Sequence, residues 1–440
     1  MRDSHHARHQ RGPLSGRRAR LTITAVAVAA GLLAAACQSS GGTAAGQQAG
    51  SKAPASPAAP LAHLSVTPAD GSRNVKPEHG VTVKVTDGKL SNVSVVSRGQ
   101  KVPGSLNQAG TLWRSTWPLQ IGARYAVTAT AAGPDGKTVT QTSRFRTLTP
   151  ASTYSVSIFE GYHQTYGVGM PIILNFSQPV ASRYKARVER SLDITSSRPV
   201  TGAWYWMDDQ DLVFRTRGYW PQHTRVSFTG HFAGVPIAPG VYGTADLTQS
   251  FRIGPSLIAV GSTRTHYMKV YYKGKLLGNW PISTGQPGDD TANGTYLTIE
   301  KGNPTRMVGH GYNVLVPYAV RFTWSGNYIH DAYWSVAQQG VTNVSHGCVN
   351  VSPAHSQVYY NLAEPGDPVT ITGSPVAGQM GDGWTEWFLT WNQLLKGSAT
   401  HMAVQAGPQG STLVSRASVT GRNPTAKLRG SKPGNYLAAH

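Results

Sequence analysis

Ser345-His346-Gly347-Cys348-Val349-Asn350-Val351-Ser352, read with Ile329-His330-Asp331 upstream, holds one of only two cysteines among 440 residues. A thiol is a useful nucleophile only as thiolate, so it needs a base or positive group nearby. Two imidazoles are on offer. His346 stands two residues before Cys348 and would share its face on a strand, while His330, 18 residues upstream, has room to return on a neighbouring element. Gly340 and Gly347 give the connection freedom to turn. These residue types admit three readings: a cysteine nucleophile with a histidine base, a small buried thiol between Val349 and Val351, or a zinc site built from His330, His346 and Cys348.

The wider pattern narrows the choice. Ile329-His330, the 18-residue step and Ser345-His346-Gly347-Cys348-Val349-Asn350 resemble the signature of the bacterial L,D-transpeptidases, closely that of the actinobacterial cell-wall lipoproteins. The intervening Trp334-Ser335-Val336-Ala337-Gln338-Gln339-Gly340-Val341-Thr342-Asn343 and the following Val351-Ser352-Pro353 are similar too. The resemblance implies an acyltransferase in which Cys348 attacks a peptidoglycan stem tetrapeptide before the terminal D-alanine. D-Alanine leaves a thioester, and the side-chain amine of a second stem's diamino acid resolves it into a 3-3 crosslink. It further implies His330 as general base and acid, oriented by the backbone carbonyl of Asp331, and backbone N–H groups of Gly347 and Cys348 as oxyanion hole. Ser345, His346, Asn350, Trp334 and Tyr318 are expected to line the substrate site. A role in cell-wall biogenesis and cell shape, and acylation by carbapenems, are expected with it; no metal and no cofactor is required. Asp331 departs from the small polar residue usual there, and a carboxylate beside His330 should raise the imidazole's pKa.

The N-terminus fits export. Six arginines precede Leu21–Ala36, an apolar run that ends in Ala34-Ala35-Ala36-Cys37. A basic region, a hydrophobic region and a small-residue cleavage site read as a signal peptide over 1–36. Cys37 resembles a lipoprotein processing site that would anchor the protein on the membrane facing the wall, with an ordinary cleaved signal or an uncleaved anchor as the alternative. Cys348 is then left alone in an oxidising compartment, where an idle exposed thiol is a liability. The net charge is +20, and +15 once residues 1–36 are removed. That suits an anionic cell envelope. Nucleic acid is not an expected partner, because the charges are scattered and the leader points outward; a monomer is expected.

The fold class expected is mainly β: two tandem immunoglobulin-like sandwiches, a β-sandwich-like catalytic domain and a small Trp-rich C-terminal subdomain. Gln38 to Leu61 is Gly, Ala, Ser, Pro and Gln, a flexible tether, with linker bounds of 37–61. Alternation as in Val81-Thr82-Val83-Lys84-Val85 places one sandwich at 62–149 and a second at 150–254. Phe145 and Phe251 close the two units at an offset of 106 residues. The domains read as spacers, with Trp204, Trp206 and Trp220 as an alternative sugar platform. The catalytic domain runs over 255–373, with Lys273-Gly274-Lys275 as a hairpin turn, at most a helix around His355 to Ala363, and an irregular lid from Gly302 to Trp324. The subdomain covers 374–397, and 398–440, devoid of acidic residues, reads as a disordered basic tail.

Three rivals stay open. A zinc amidase needs further ligands, such as His310. A sortase-like enzyme needs an arginine soon after the thiol, and none stands between Cys348 and Arg416. A non-catalytic wall-binding lipoprotein would not need Cys348 at all.

Overall fold

The computed structural model describes residues 61–309, 312–415 and 418–419. The expected signal peptide, Cys37, the tether up to residue 60, His310 and the chain beyond residue 419 lie outside the described residues.

The chain is mainly β. In the first sandwich, strands His63–Thr67, Thr82–Thr86, Leu112–Ser115 and Gly104–Leu106 form one sheet, and Gln100–Lys101, Lys89–Ser97, Arg124–Ala132 and Thr138–Arg146 the other. The alternation seen in sequence is the cause. Val81, Val83 and Val85 point inward and Lys84 points out, so one face of the strand meets Val95, Val127, Ala129 and Phe145 across the core.

The second unit gathers Phe176, Trp204, Phe214, Trp220, Phe228 and Phe251 into a core that also takes in Ile258, Leu297 and Trp384 from later in the chain. Trp204, Trp206 and Trp220 are buried. Their indole N–H groups serve the interior where bonded: Trp206 donates to Glu189 at 3.0 Å and Trp220 to the Met170 carbonyl at 2.7 Å. The sugar-platform alternative is thereby corrected; these rings are core.

The expected disordered tail is also corrected for its first part. Strand Ala403–Gly407 inserts between Val200–Trp206, to which it is antiparallel, and Leu192–Ser196, and it turns back through Gly410 into Gly410–Val414. Ala403, Val404 and Ala406 are buried. Backbone pairing with both neighbours holds the strand, although its short residues give little periodicity in sequence. Residues 398–400 are held by one buried acid. Glu189, closing helix Ser182–Glu189, accepts from Ser398 Oγ, the backbone N–H of Ala399 and Thr400, and Thr400 Oγ1.

In the catalytic region a five-stranded sheet has the order Lys275–Pro281, Tyr267–Tyr272, Leu257–Ser262, Pro368–Thr372, Gly294–Leu297. Lys273 (φ 51°) and Gly274 (φ 77°) make the two-residue turn, both left-handed as such a hairpin requires. A second sheet runs Glu300–Gly302, Ala319–Arg321, Tyr328–Asp331, Val349–Val351. Met268, Val270, Ile329, Val349, Val351, Tyr359 and Ile371 lie in the core shared by these elements. Helix Pro353–Leu362 follows, capped by Ser352 and started by Pro353. The Gly302–Trp324 segment is more ordered than an irregular lid: Thr305–Gly309 and Tyr312–Val316 pair as a two-stranded hairpin.

The Trp-rich piece wedges between two neighbours. Trp387 donates to the Gly169 carbonyl of the second sandwich at 2.8 Å, while Phe388 meets Tyr296 of the catalytic sheet edge-on.

Candidate active site

The His330 strand, Tyr328–Asp331, and the strand that follows Cys348, Val349–Val351, are parallel neighbours, with His330 opposite Asn350. Ile329, Val349 and Val351 fill the core. Alternation therefore turns Tyr328, His330, Cys348 and Asn350 to the opposite face. Adjacent strands lie ~4.8 Å apart, so the 18-residue excursion brings Cys348 back one residue ahead of Val349, on the same face as the His330 imidazole.

His330 Nδ1 lies 2.8 Å from the Asp331 carbonyl oxygen. That oxygen only accepts, so Nδ1 carries the proton and Nε2 keeps its lone pair for base work. Burial pushes the imidazole down to about 4, and the Asp331 carbonyl opposes this only in part. The expectation that the Asp331 carboxylate raises His330 is corrected. That side chain is buried, its Oδ1 is without a partner, and burial pushes its own carboxyl up.

Cys348 is half-buried, with Sγ 3.8 Å from the Gly326 carbonyl. Desolvation raises the thiol to about 11, against the pull of the Tyr328 backbone N–H. The resting pair is therefore neutral thiol and neutral imidazole.

The turn before the thiol is internally bonded. Ser345 Oγ donates to the Cys348 carbonyl at 2.6 Å and accepts from the Gly347 N–H at 3.2 Å. The Gly347 N–H is thus already occupied, which corrects its expected part in an oxyanion hole; the Cys348 N–H donates to no acceptor among the described residues. Gly347 sits at φ 108°, where an added Cβ would lie 2.6 Å from Asn327 Nδ2. Ser345 and Asn350 are buried, and Asn350 Nδ2 donates to Ser335 Oγ at 3.0 Å. Both hold the site's frame rather than face a substrate.

The exposed residues fall in two places. Trp334 stacks over His330 at 5.9 Å and Tyr333 meets it edge-on. His346 is exposed, with its ring 5.1 Å from that of Tyr312 on the hairpin. Tyr312 packs in a small apolar cluster with Met307, Val316 and Cys348. Tyr318 is turned elsewhere, its ring edge-on to Tyr360 of helix Pro353–Leu362 and its N–H on Asn303. Tyr318, expected to line the substrate site, thus packs on the helix, while Tyr312 is the tyrosine beside His346. For the zinc reading, no group of three or more His, Cys, Asp or Glu is placed to hold a metal ion among the described residues.

Residues 256–371 match the model of the L,D-transpeptidase catalytic domain and residues 72–236 that of a bacterial Ig domain. L,D-transpeptidase 2 of Mycobacterium tuberculosis is 32% identical over 350 residues, covering 76% of this chain and 85% of the relative. The chain belongs to the L,D-transpeptidase family. L,D-transpeptidase 5 of the same organism is 31% identical over 77% of this chain and 78% of its own length. A solved structure of an LD transpeptidase in complex with imipenem is 33% identical, covering 51% of this chain and 100% of that one, with a TM-score of 0.43. The chain is accordingly a transpeptidase enzyme with an immunoglobulin-like region ahead of its catalytic domain.

Proposed function

We propose that this L,D-transpeptidase forms 3-3 crosslinks through a thioester on Cys348. The observation that supports it is the pairing of the two strands, which sets Cys348 and His330 on one face, with His330 Nδ1 committed to the Asp331 carbonyl and Nε2 left basic. The donor is a stem tetrapeptide. Nε2 takes the thiol proton as sulfur attacks the carbonyl of the third residue. The Cys348 N–H steadies the developing oxyanion, and His330 returns the proton to the departing D-alanine amine. The side-chain amine of a second stem's diamino acid, relieved of its proton by His330, attacks the thioester and restores the thiol.

Trp334 beside His330 and, on the hairpin side, His346 and Tyr312 are the side chains offered to the stems. Carbapenems, strained acyl donors, are expected to acylate the same sulfur. The reading extends to place and role: export by the basic, apolar leader, anchoring through Cys37, and action as a monomer on the wall in biogenesis and shape. It is supported by the leader's composition and by the net charge of +20, which favours an anionic envelope.

The test is intact-mass spectrometry of residues 62–440 mixed with a disaccharide-tetrapeptide, beside Cys348→Ala and His330→Ala. A wild-type adduct lacking D-alanine, a crosslinked dimer in the products and neither in the variants is expected. Unchanged substrate with a freely alkylated thiol would overturn it.

A further inference from the structure

Two side chains outside the sequence signature converge on one carbonyl. Asn327 Nδ2 and Thr291 Oγ1 both donate to the Gly347 oxygen, the latter at 2.7 Å. Asn327 is itself fixed. Its Oδ1 accepts from Thr323 Oγ1 at 2.9 Å and from Ser325 Oγ at 3.2 Å, and its backbone N–H donates to Thr323 Oγ1 at 2.8 Å. Ser325 is held in turn by Asp382, which accepts from its N–H at 2.7 Å and shares the one hydroxyl proton with Asn327 Oδ1, lying 2.7 Å from Ser325 Oγ. Asp382 belongs to the segment that follows the catalytic sheets, so the chain of bonds runs from that segment to the peptide bond preceding the nucleophile.

The consequence follows from amide geometry. A trans peptide points its C=O and the next residue's N–H in opposite directions. Anchoring the Gly347 oxygen on Asn327 and Thr291 therefore aims the Cys348 N–H away from them. Two bonds accepted by the carbonyl also polarise the amide and make that N–H a stronger donor. With the Gly347 N–H occupied by Ser345, the Cys348 N–H remains a donor of this turn open to an oxyanion.

We propose that Asn327 and Thr291 are positioning residues for acyl transfer, orienting and polarising the Gly347–Cys348 peptide so that its N–H receives the oxyanion. This rests on the thioester reading and extends it to residues that touch neither thiol nor substrate.

Acylation needs an oxyanion donor, whereas alkylation of the thiol by iodoacetamide, a displacement at saturated carbon, does not. The experiment measures both rates at Cys348, using a carbapenem as acyl donor, for wild type, Asn327→Ala, Thr291→Val and Asp382→Asn. Expected is a fall of about tenfold or more in acylation for Asn327→Ala, short of the roughly hundred- to thousandfold cost of losing an oxyanion donor itself. Thr291→Val should show a comparable fall and Asp382→Asn a smaller one, with alkylation within about twofold of wild type throughout. Acylation unchanged in Asn327→Ala and Thr291→Val would overturn the proposal, and so would equal losses of acylation and alkylation, which mark general disorder of the turn. If Asn327→Ala does not fold, Thr291→Val decides, since it acts on the same carbonyl. A wild-type protein that is never acylated at Cys348 would refute the thioester reading instead.

Discussion

Titrating the thiol separates two pictures of how a cysteine–histidine enzyme is poised. In one, a thiolate–imidazolium pair is formed before substrate arrives. In this site burial drives both groups toward neutrality, Cys348 up to about 11 and His330 down to about 4. Both shifts disfavour moving the proton from sulfur to imidazole in the free enzyme. At pH 7 about one thiol in ten thousand is ionised, some hundredfold fewer than for a thiol at its reference value of 9.0. The more basic thiolate is intrinsically about tenfold more nucleophilic, so iodoacetamide should react about tenfold more slowly than with such a thiol. The assay is the second-order alkylation rate from pH 5 to 11, read by mass on the 62–440 protein. The expected profile climbs close to tenfold per pH unit without a shoulder between 6 and 8. His330→Ala should move that profile little, because desolvation is its first cause, yet lower acylation by about 10²- to 10⁴-fold. A plateau reached by pH 7, abolished in His330→Ala, would mean a preformed ion pair and refute the reasoning.

Other expectations follow from the same geometry. Gly347→Ala places a side chain at φ 108° against Asn327, so it should cost about 1–3 kcal/mol and nearly all activity, measured by thermal unfolding and acylation. Glu189→Ala removes the acceptor for Trp206, Ser398, Ala399 and Thr400. It should destabilise the second sandwich by about 3 kcal/mol or more and raise protease sensitivity around residue 398; cleavage and unfolding identical to wild type would count against the clamp. Burial lifts Glu160 to about 8 and Glu386 to about 7 in the folded chain, above their ordinary 4.5. Their stabilising effect is thus present below pH 4.5 and lost as pH rises toward 8, so Glu160→Gln should flatten the fall in urea midpoint across that window. His330 runs the other way. Its depressed value means stability present above 6.5 and lost on acidification toward 4, by roughly 3 kcal/mol, a loss His330→Ala should lack.

What could be read from the sequence, and what could not, divides by the range of the interaction that decides it. Val81 to Val85 declare a strand because alternation is written within five residues, and Lys273-Gly274 declare a turn because both must take positive φ. Cys348 and His330 are legible because the chemistry restricts which residue types can serve. Strand Ala403–Gly407 is different. Its partner Val200–Trp206 lies about two hundred residues earlier, so what places it is pairing with a distant strand rather than a local periodic pattern. Tyr312 and Tyr318 look alike in sequence, yet Tyr312 opens a hairpin strand beside His346 and Tyr318, beyond that strand at φ 46°, meets Tyr360.

The same division explains why the surroundings of the nucleophile were the least legible part. Gly347 is conspicuous as a glycine, but its reason lies outside the signature. Asn327 fills the space a side chain would need and holds the carbonyl that the glycine presents. A signature records residues that meet the substrate or must be small. The residues that fix a peptide plane can be any donors that reach it, here an asparagine and a threonine from different loops. Nothing local distinguishes them from ordinary polar loop residues. It follows that activity in this enzyme depends on bonds running out to Asp382. Variants that leave Cys348, His330 and the thiol's alkylation untouched should still separate catalytic power from nucleophile reactivity.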